Sequence, residues 1–507
     1  MNVVDLSKNR VNDGFFLLNK KKASTFEWPP PDSNPYRFLG TYRDSGTPLR
    51  DALIEIIRGA RKHVFLASFL IGDEAVVNEL VSVAERLRGG VYIITALDEK
   101  SLRRGIAEYE DEDEDQDQDQ ADPEERGKNF HRLTEKGVYV RGHESCHAKF
   151  SVVDKSVALV GSANFIKKGF EWTGEADAVI RDPYQVKQLE RLFTQLWYEG
   201  CLWEVPPGLT YVVADRQPAQ TPYLPDRPNS CEPGAIWTNG ATETYLLESM
   251  TDVINRARCQ LTLASYSISG MNEKQHLLIE PLQAALDRGV SVRLFVRQRN
   301  PNASQRADLC RLFDMGVEIY GDLRNHAKGI VADGTMGCLF SSNFDAAHGL
   351  ESGVEVGVRL DGQTALKDFE NYLDHAIRSA DAYFLRNPTL EQLDGQLAAR
   401  WCKPWPGEKE MRVACSLAVA QRFVAEASEG PVLYETADGV TRLFAGDAVL
   451  ALRQRGETTE GAIEIASEGM TVVRRLESWL ASVRGKDNRT PFAMRGFCPA
   501  RITFSNV

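Results

Sequence analysis

The chain has 507 residues, 43% hydrophobic and 26% charged, with a formal net charge of −12. That length and apolar content suit two or three buried cores and exclude a disordered or fibrous chain. No run of 18 apolar residues is present, which argues against a spanning helix.

The N-terminus, "MNVVDLSKNRVNDGFFLLNKKK", has an apolar core of only "FFLL", so no secretory leader is read there and a cytoplasmic location is expected. The nine cysteines are odd in number and form no C-x-x-C pair, which suits reduced, packed thiols. Residues 1–45, with Lys20–Lys22 and "WPPPDSNP" (28–35), read as an exposed arm. From there the chain alternates. "ALIEIIRGARKHVFLASF" (52–69) reads as an amphipathic helix entering a buried strand, and "VVNELVSVAERLRGGVYIITAL" repeats the pattern. An acidic run, "EYEDEDEDQDQDQADPEE" (108–125), follows, then a helix, the strand "GVYV", and the closing helix "YQVKQLERLFTQLWYEG". Residues 203–240 hold seven prolines and read as an extended linker. A second round of helix and strand begins at "SMTDVINRARCQLTLASY" (249–266). Beyond about residue 400, "GPVLYET", "TRLFAGDAVLALR" and "GAIEIAS" suggest short strands, with one helix at "VVRRLESWLASV". Alternating helix and strand predicts an α/β fold with a largely parallel sheet in each half.

The stretch "RGHESCHAKFSVVD" (141–154) contains two overlapping motifs. His143 to His147 spells H-E-x-x-H, a zinc-protease signature that works only where positions i and i+4 share a helix face. The flanking β-branched and aromatic residues predict strand, turn and strand, so the two imidazoles diverge. The other frame, H-x-K-x-x-x-x-D, comprises His147, Lys149 and Asp154, and it is duplicated. A shift of 179 carries these onto His326, Lys328 and Asp333, and carries Ser162 and Asn164 of "GSANF" onto Ser341 and Asn343 of "SSNF". One inserted residue later, Glu171 and Glu175 match Glu351 and Glu355. His143 falls on Asp322 and Glu144 on Leu323, so the zinc letters are not repeated. The second copy departs at Phe340, which stands where the first has Gly161 and is expected to tighten or reshape the phosphate-side loop. Cys146, beside His147, is expected to be a small filler.

Over roughly 46–398 these paired motifs resemble the phospholipase D superfamily of two-motif phosphodiesterases. The resemblance implies two α/β halves, 46–202 and 241–398, in a pseudo-twofold sandwich with one active site at their interface. A β-rich C-terminal domain, 399–507, is added from the strand pattern. The residue types suit the reaction. Phosphodiester cleavage needs a nucleophile, a proton for the leaving oxygen and neutralisation of charge. His147 and His326 can divide the first two roles. Lys149, Lys328, Asn164 and Asn343 can clamp the non-bridging oxygens, with Ser162, Glu175, Ser341 and Glu355 in phosphate-binding or supporting positions. Asp154 and Asp333 are expected to orient and charge-balance an imidazole, in the family typically that of the opposite half. The resemblance implies a covalent phosphohistidine, with His147 as nucleophile and His326 as acid, and neither metal nor cofactor.

Substrate is less determined. "GSANF" with the following "GFE…E" and "GLE…E" resembles soluble members tied to DNA processing and bacterial defence, which makes a nuclease the favoured reading. A cytosolic phospholipase or phosphatidyltransferase and a non-catalytic scaffold are the alternatives. Twelve acids in 108–125 account for the whole net charge, so the rest of the chain is neutral and overall charge does not oppose nucleic acid. That run matches the extra length of the first copy and is expected to be either a solvated insertion or an autoinhibitory mimic of an anionic substrate. A partner protein engaged through 399–507 or 108–125 completes the expectations.

Overall fold

The computed structural model describes residues 13–19, 25–96, 123–205, 217–221, 223–299, 302–389 and 392, together with the backbone of the strands between Met411 and Ser505 given below. The chain forms two compact units. One comprises Lys21–Arg297 and Met315–Ala380, and the other Met1–Lys20, Gln298–Asp314 and Asp381–Val507.

In the second of these units, the "FFLL" stretch forms strand β1 (Gly14–Leu18), antiparallel to Ala382–Arg386. The unit that carries both motifs contains two sheets. The first is built from β2 (Tyr36–Thr41), β3 (Val64–Ser68), β4 (Val91–Thr95), β5 (Tyr139–Gly142), β6 (Phe150–Val153), β7 (Val157–Gly161), β8 (Glu175–Ile180) and β9 (Trp203–Val205), in the order β2-β8-β7-β6-β3-β4-β5-β9. The second takes β10 (Gly234–Asn239), β11 (Glu243–Thr244), β12 (Gln260–Ser265), β14 (Ser291–Arg297), β15 (Glu318–Asp322), β16 (Gly329–Ala332), β17 (Met336–Phe340) and β19 (Val354–Arg359), in the order β15-β14-β12-β16-β17-β19-β10-β11. A short parallel pair, β13 (Ile268–Ser269) with β18 (Phe344–Asp345), flanks it.

Each sheet is mixed, which corrects the largely parallel expectation. Only β3-β4-β5 and β12-β14-β15 run parallel. The strand after each motif turns straight back. Val153 pairs with Val157, and Ala332 with Met336, leaving three-residue turns that only an antiparallel hairpin can use. Both turns open in the left-handed region, at Asp154 (φ 55°) and Asp333 (φ 54°). Asp tolerates that conformation better than most residues.

Helices cover the sheets because their sequences are amphipathic. Pro48–Arg58 starts on a proline at its first turn and buries Leu49, Leu53 and Ile57. Glu74–Ala84 is capped by Asp73, whose carboxylate accepts the Val76 N–H at 3.1 Å. Thr364–Arg378, in the second half, buries Phe369, Tyr372 and Leu373. Phe150, Val160 and Ala178 of the first half share one core with Leu339, Val356 and Val358 of the second. The two motif-bearing halves are therefore packed sheet against sheet.

Two boundaries differ from expectation. The arm 1–45 contributes β2 to the first sheet, and Trp28 is docked: its indole N–H donates to the Ser45 carbonyl at 2.7 Å and its ring stacks near Tyr372. The linker 203–240 begins and ends in strands, β9 and β10, the latter antiparallel to β19. In both places the backbone polar groups find a sheet edge. Lys20–Lys22 and the acidic run up to residue 122 lie outside the described residues.

In the other unit, Ala382–Arg386 is β20. The C-terminal segment forms a six-stranded sheet of β21 (Met411–Ala414), β22 (Val432–Ala437), β23 (Val440–Ala445), β24 (Ala448–Arg455), β25 (Thr458–Ile465) and β26 (Ile502–Ser505), ordered β21-β26-β25-β24-β23-β22. The helix expected at "VVRRLESWLASV" lies outside the described residues.

The two motif aspartates hold these hairpins. Asp154 accepts the backbone N–H groups of Arg61, Lys62 and His63 at 2.7–3.0 Å, and Asp333 those of Arg258, Cys259 and Gln260 at 2.8 Å. Burial alone would raise these carboxyls, but the three N–H groups hold each below the usual aspartate range. Asp333→Ala should cost about 2 kcal/mol of stability, read as a lower unfolding midpoint. A depressed carboxyl stabilises above its unfolded pKa of about 4, so the wild-type advantage should vanish as pH falls below that value. An unchanged midpoint at neutral pH would refute the role.

Candidate active site

Both motif histidines stand in irregular segments just before β6 and β16. Each is anchored to the opposite half through its backbone. The His147 N–H donates to the Val354 carbonyl at 3.0 Å, and the Val354 N–H returns to Ser145 at 3.0 Å. In the twin arrangement the His326 N–H donates to Gly174 at 2.9 Å, and the Gly174 N–H to Arg324 at 2.7 Å. Val354 and Gly174 immediately precede Glu355 and Glu175, so this pairing sets each glutamate beside the histidine of the other half. His147 Nδ1 lies 2.7 Å from Glu355 Oε1, and His326 Nδ1 lies 2.8 Å from Glu175 Oε2.

Glu175 and Glu355 are 1% and 3% exposed, and each accepts further side-chain hydrogen bonds. Ser162 Oγ donates to Glu175 at 2.6 Å, Thr173 Oγ1 at 2.7 Å, and Ser341 Oγ donates to Glu355. The same serine hydroxyls accept the Ala176 and Val356 N–H groups, each at 3.0 Å. Burial would raise both carboxyls. The facing imidazole, the neighbouring ammonium and the serine hydroxyl outweigh it and hold both below the usual glutamate range. An ionised glutamate at Nδ1 selects the tautomer with the proton there, which leaves Nε2 with its lone pair.

Burial lowers the pKa of both histidines, that of His326 to about 3. Both are thus neutral in the resting site. Lys149 and Lys328 are completely buried, and their ammonium groups donate to the carbonyls of His147 and His326 at 2.5 and 2.9 Å. Desolvation presses Lys328 down to about 7. Asn164 and Asn343 are half-buried, and their Oδ1 atoms have no hydrogen-bond partner among the described residues.

The expectation for Asp154 and Asp333 is corrected. They cap backbone turns at the far ends of β6 and β16, roughly 15 Å along the strand from Lys149 and Lys328. The crossed partners of the imidazoles are Glu175 and Glu355. Ser162 and Ser341 direct their hydroxyl protons to those glutamates. The H-E-x-x-H side chains diverge as the strand reading implied: His143 packs over Gly200, Glu144 accepts the Trp203 indole N–H at 3.1 Å, and His147 faces Glu355. Cys146 is buried with its thiol pushed up to about 12, in keeping with a filler.

The two halves are not identical around this frame. Phe69 meets His147 edge-on at 5.2 Å, whereas Tyr266 meets His326 at 4.8 Å. The Tyr266 hydroxyl accepts from Arg297 at 2.6 Å. Phe340 does not tighten a phosphate loop; it lies across from Gly357, and Gly161 lies across from Asp177. A Cβ on Gly161 would fall 2.2 Å from Asp177 Oδ1, and one on Gly357 would fall 2.6 Å from the Phe340 Cβ. Large and small have exchanged strands between the copies. Asp177 is fully buried, and desolvation together with Glu175 raises its carboxyl well above the usual range. Thr173, Tyr266, Arg297 and Asp177 were not singled out from sequence. Only the repeat alignment, which sets Tyr266 against Phe69, carries a trace of them.

A family model described as "Cardiolipin synthase, PLD-like domain" matches residues 53–197 and 250–377. No curated protein is matched. Among solved structures, a phosphatidylserine synthase from Haemophilus influenzae Rd KW20 is similar with a TM-score of 0.51 at 14% identity, over 74% of this chain and 90% of that one. A polyphosphate kinase from Porphyromonas gingivalis gives 0.43 at 15% identity, over 67% and 50%. A phospholipase D family member, Nuc from Salmonella typhimurium, gives 0.27 at 19%, over 30% and 99%. The family model matches both halves, each with its own motif, and the histidine of each half meets a glutamate of the other. This chain belongs to the PLD-like domain family, within the phospholipase D superfamily of phosphodiesterases and phosphotransferases.

Proposed function

We propose that this protein is a metal-independent phosphodiesterase that cleaves nucleic acid through a covalent phosphohistidine. The crossed His147–Glu355 and His326–Glu175 pairs carry the chemical part of that reading. Each leaves Nε2 turned away from its glutamate, so one neutral imidazole can attack through Nε2 while the other, having taken up a solvent proton on Nε2 as the anionic substrate binds, can act as the acid. In the order implied by the superfamily, His147 Nε2 bonds to phosphorus and the leaving oxygen departs with a proton from His326. His326 then takes a proton from water, which attacks the phosphohistidine, breaks the P–N bond and restores both rings. The incoming anion raises the pKa of His326, which the empty site holds low. Lys149, Lys328 and the amides of Asn164 and Asn343 would neutralise the equatorial oxygens. That donor set supplies the charge a metal would otherwise bring.

Nucleic acid is favoured over phospholipid by the surface. The large hydrophobic side chains exposed among the described residues are Leu18, Tyr139, Tyr184, Tyr198, Tyr223 and Leu224, none of them in the segments 143–147, 164–175, 324–328 or 343–355 that carry the site. An enzyme that draws a lipid from a bilayer gains from an apolar rim there. The test offers single-stranded DNA, duplex DNA, RNA and mixed phospholipid vesicles to the protein in excess chelator. Cleavage of nucleic acid is expected, with a phosphoryl adduct on His147 after an alkaline denaturing quench. Turnover of vesicles alone overturns the substrate, and strict metal dependence overturns the mechanism.

Two further outcomes follow from the electrostatics. Glu175→Gln and Glu355→Gln should each lower kcat roughly a hundredfold or more, because an amide N–H facing Nδ1 favours the wrong tautomer. A loss below about threefold in steady-state kinetics would contradict the crossed pairs. Lys328 is a cation below its pKa, so kcat/KM should decline as pH rises through about 7. A profile flat from about pH 6 to 9 would remove Lys328 from the anion clamp.

A further inference from the structure

The pseudo-twofold axis repeats the chemistry but not the rim. Two residues before Gly174, whose carbonyl accepts the His326 N–H, Trp172 is half-buried, with the Lys168 ammonium 4.9 Å and the Arg324 guanidinium 5.4 Å from its ring centroid. Lys168 and Trp172 come from the loop after "GSANF", and Arg324 from the motif loop of the other half. The Gly174–Asn325 bridge brings them together, with Gly174 bonded to both Arg324 and His326. A small pocket whose lining includes Gly174, Arg324 and Asn325, together with the apolar Phe295 and Tyr372, adjoins this rim. In the repeat alignment Trp172 answers to Ser352, Arg324 to Ser145 and Lys168 to His348. Ser145 and Ser352 lie beside the corresponding Cys146–Val354 bridge, where the Val354 N–H donates to the Ser145 carbonyl. That rim carries no indole and no permanent cation at these positions.

We propose that Lys168, Trp172 and Arg324 form a subsite for one unpaired nucleotide on the His326 side of the cleft, which directs the enzyme to single strands and sets their polarity. The inference rests on the nucleic-acid reading and deepens it. A nucleotide brings a flat base and a phosphate together. The base displaces a cation from the indole face, and the phosphate receives that cation, so a cation–π contact is exchanged for stacking plus a charge-assisted hydrogen bond. A duplex hides its base faces and can offer only the phosphate. Because Ser145, His348 and Ser352 stand at the matching positions of the opposite rim, a strand entering in reverse would not meet an indole there.

The test measures affinity by fluorescence anisotropy at low salt in full-length protein carrying His147→Ala, which prevents turnover. The probes are a labelled thymidine oligonucleotide and a duplex of equal length. Adding Trp172→Ala should weaken single-strand binding about tenfold or more and change duplex binding little. Trp172→Phe should remain within about threefold of the parent, and Arg324→Gln should weaken binding and flatten its salt dependence. The subsite is overturned if Trp172→Ala binds the single strand as the parent does. It is also overturned if that variant loses thermal stability and both affinities in equal proportion, since the cluster would then only pack the loop. Failure of the parent to bind either probe overturns the nucleic-acid reading and the subsite together, which separates the two failures.

Discussion

The geometry of the site depends on carboxylate–imidazole contact across the interface of the two halves. Glu175 and Glu355 are buried, ionised and held by serine hydroxyls, and each orients a histidine that belongs to the other repeat. Neither half can assemble its own imidazole. A buried carboxylate stripped of its partners is costly, so the pairs also tie docking of the halves to formation of the site. The duplicated fold therefore carries one composite candidate site.

The rest of the site follows from low dielectric. Two lysines without exposure are tolerable only with oriented acceptors, and both find the carbonyl of the histidine two residues before them. The same burial keeps both histidines neutral and draws Lys328 toward neutrality. An anionic substrate reverses each of these pressures by adding the missing negative charge. The resting site thus holds its donors in place before any anion arrives. The aspartates act elsewhere, closing the hairpins from which the lysines and histidines project, and so serve position rather than chemistry.

Duplication also shows where the two copies have been free to diverge. The histidine, lysine and glutamate positions agree, while Phe69 aligns with Tyr266, Gly161 and Asp177 align with Phe340 and Gly357, and Trp172 aligns with Ser352. In each copy a glycine on one strand leaves room for the larger side chain opposite, Asp177 across from Gly161 and Phe340 across from Gly357. The changes at Tyr266 and Trp172 obey no such constraint. They give the His326 side a phenol and an indole where the aligned positions of the other copy hold a phenyl ring and a serine.

Much of this was legible in the chain itself. The shift of 179 identified the duplicated motif, separated it from H-E-x-x-H, and placed His147, Lys149, His326 and Lys328 in one class of chemistry. Amphipathic periodicity located most helices and strands of the two halves, because local patterns follow from local burial. What it could not supply was direction and pairing. The "SVVD" and "GIVAD" segments read equally well as parallel or antiparallel strands, and only the turn that follows decides. Asp154 and Asp333 have the charge to orient an imidazole, and nothing in a linear chain says that three distant backbone N–H groups claim each of them first. Glu175 and Glu355 carried the right spacing, but their partners lie 151 and 208 residues distant in sequence. Residue chemistry is encoded locally and was determined by the sequence; which carboxylate meets which imidazole is a long-range contact, decided only when two sheets bury their faces against each other.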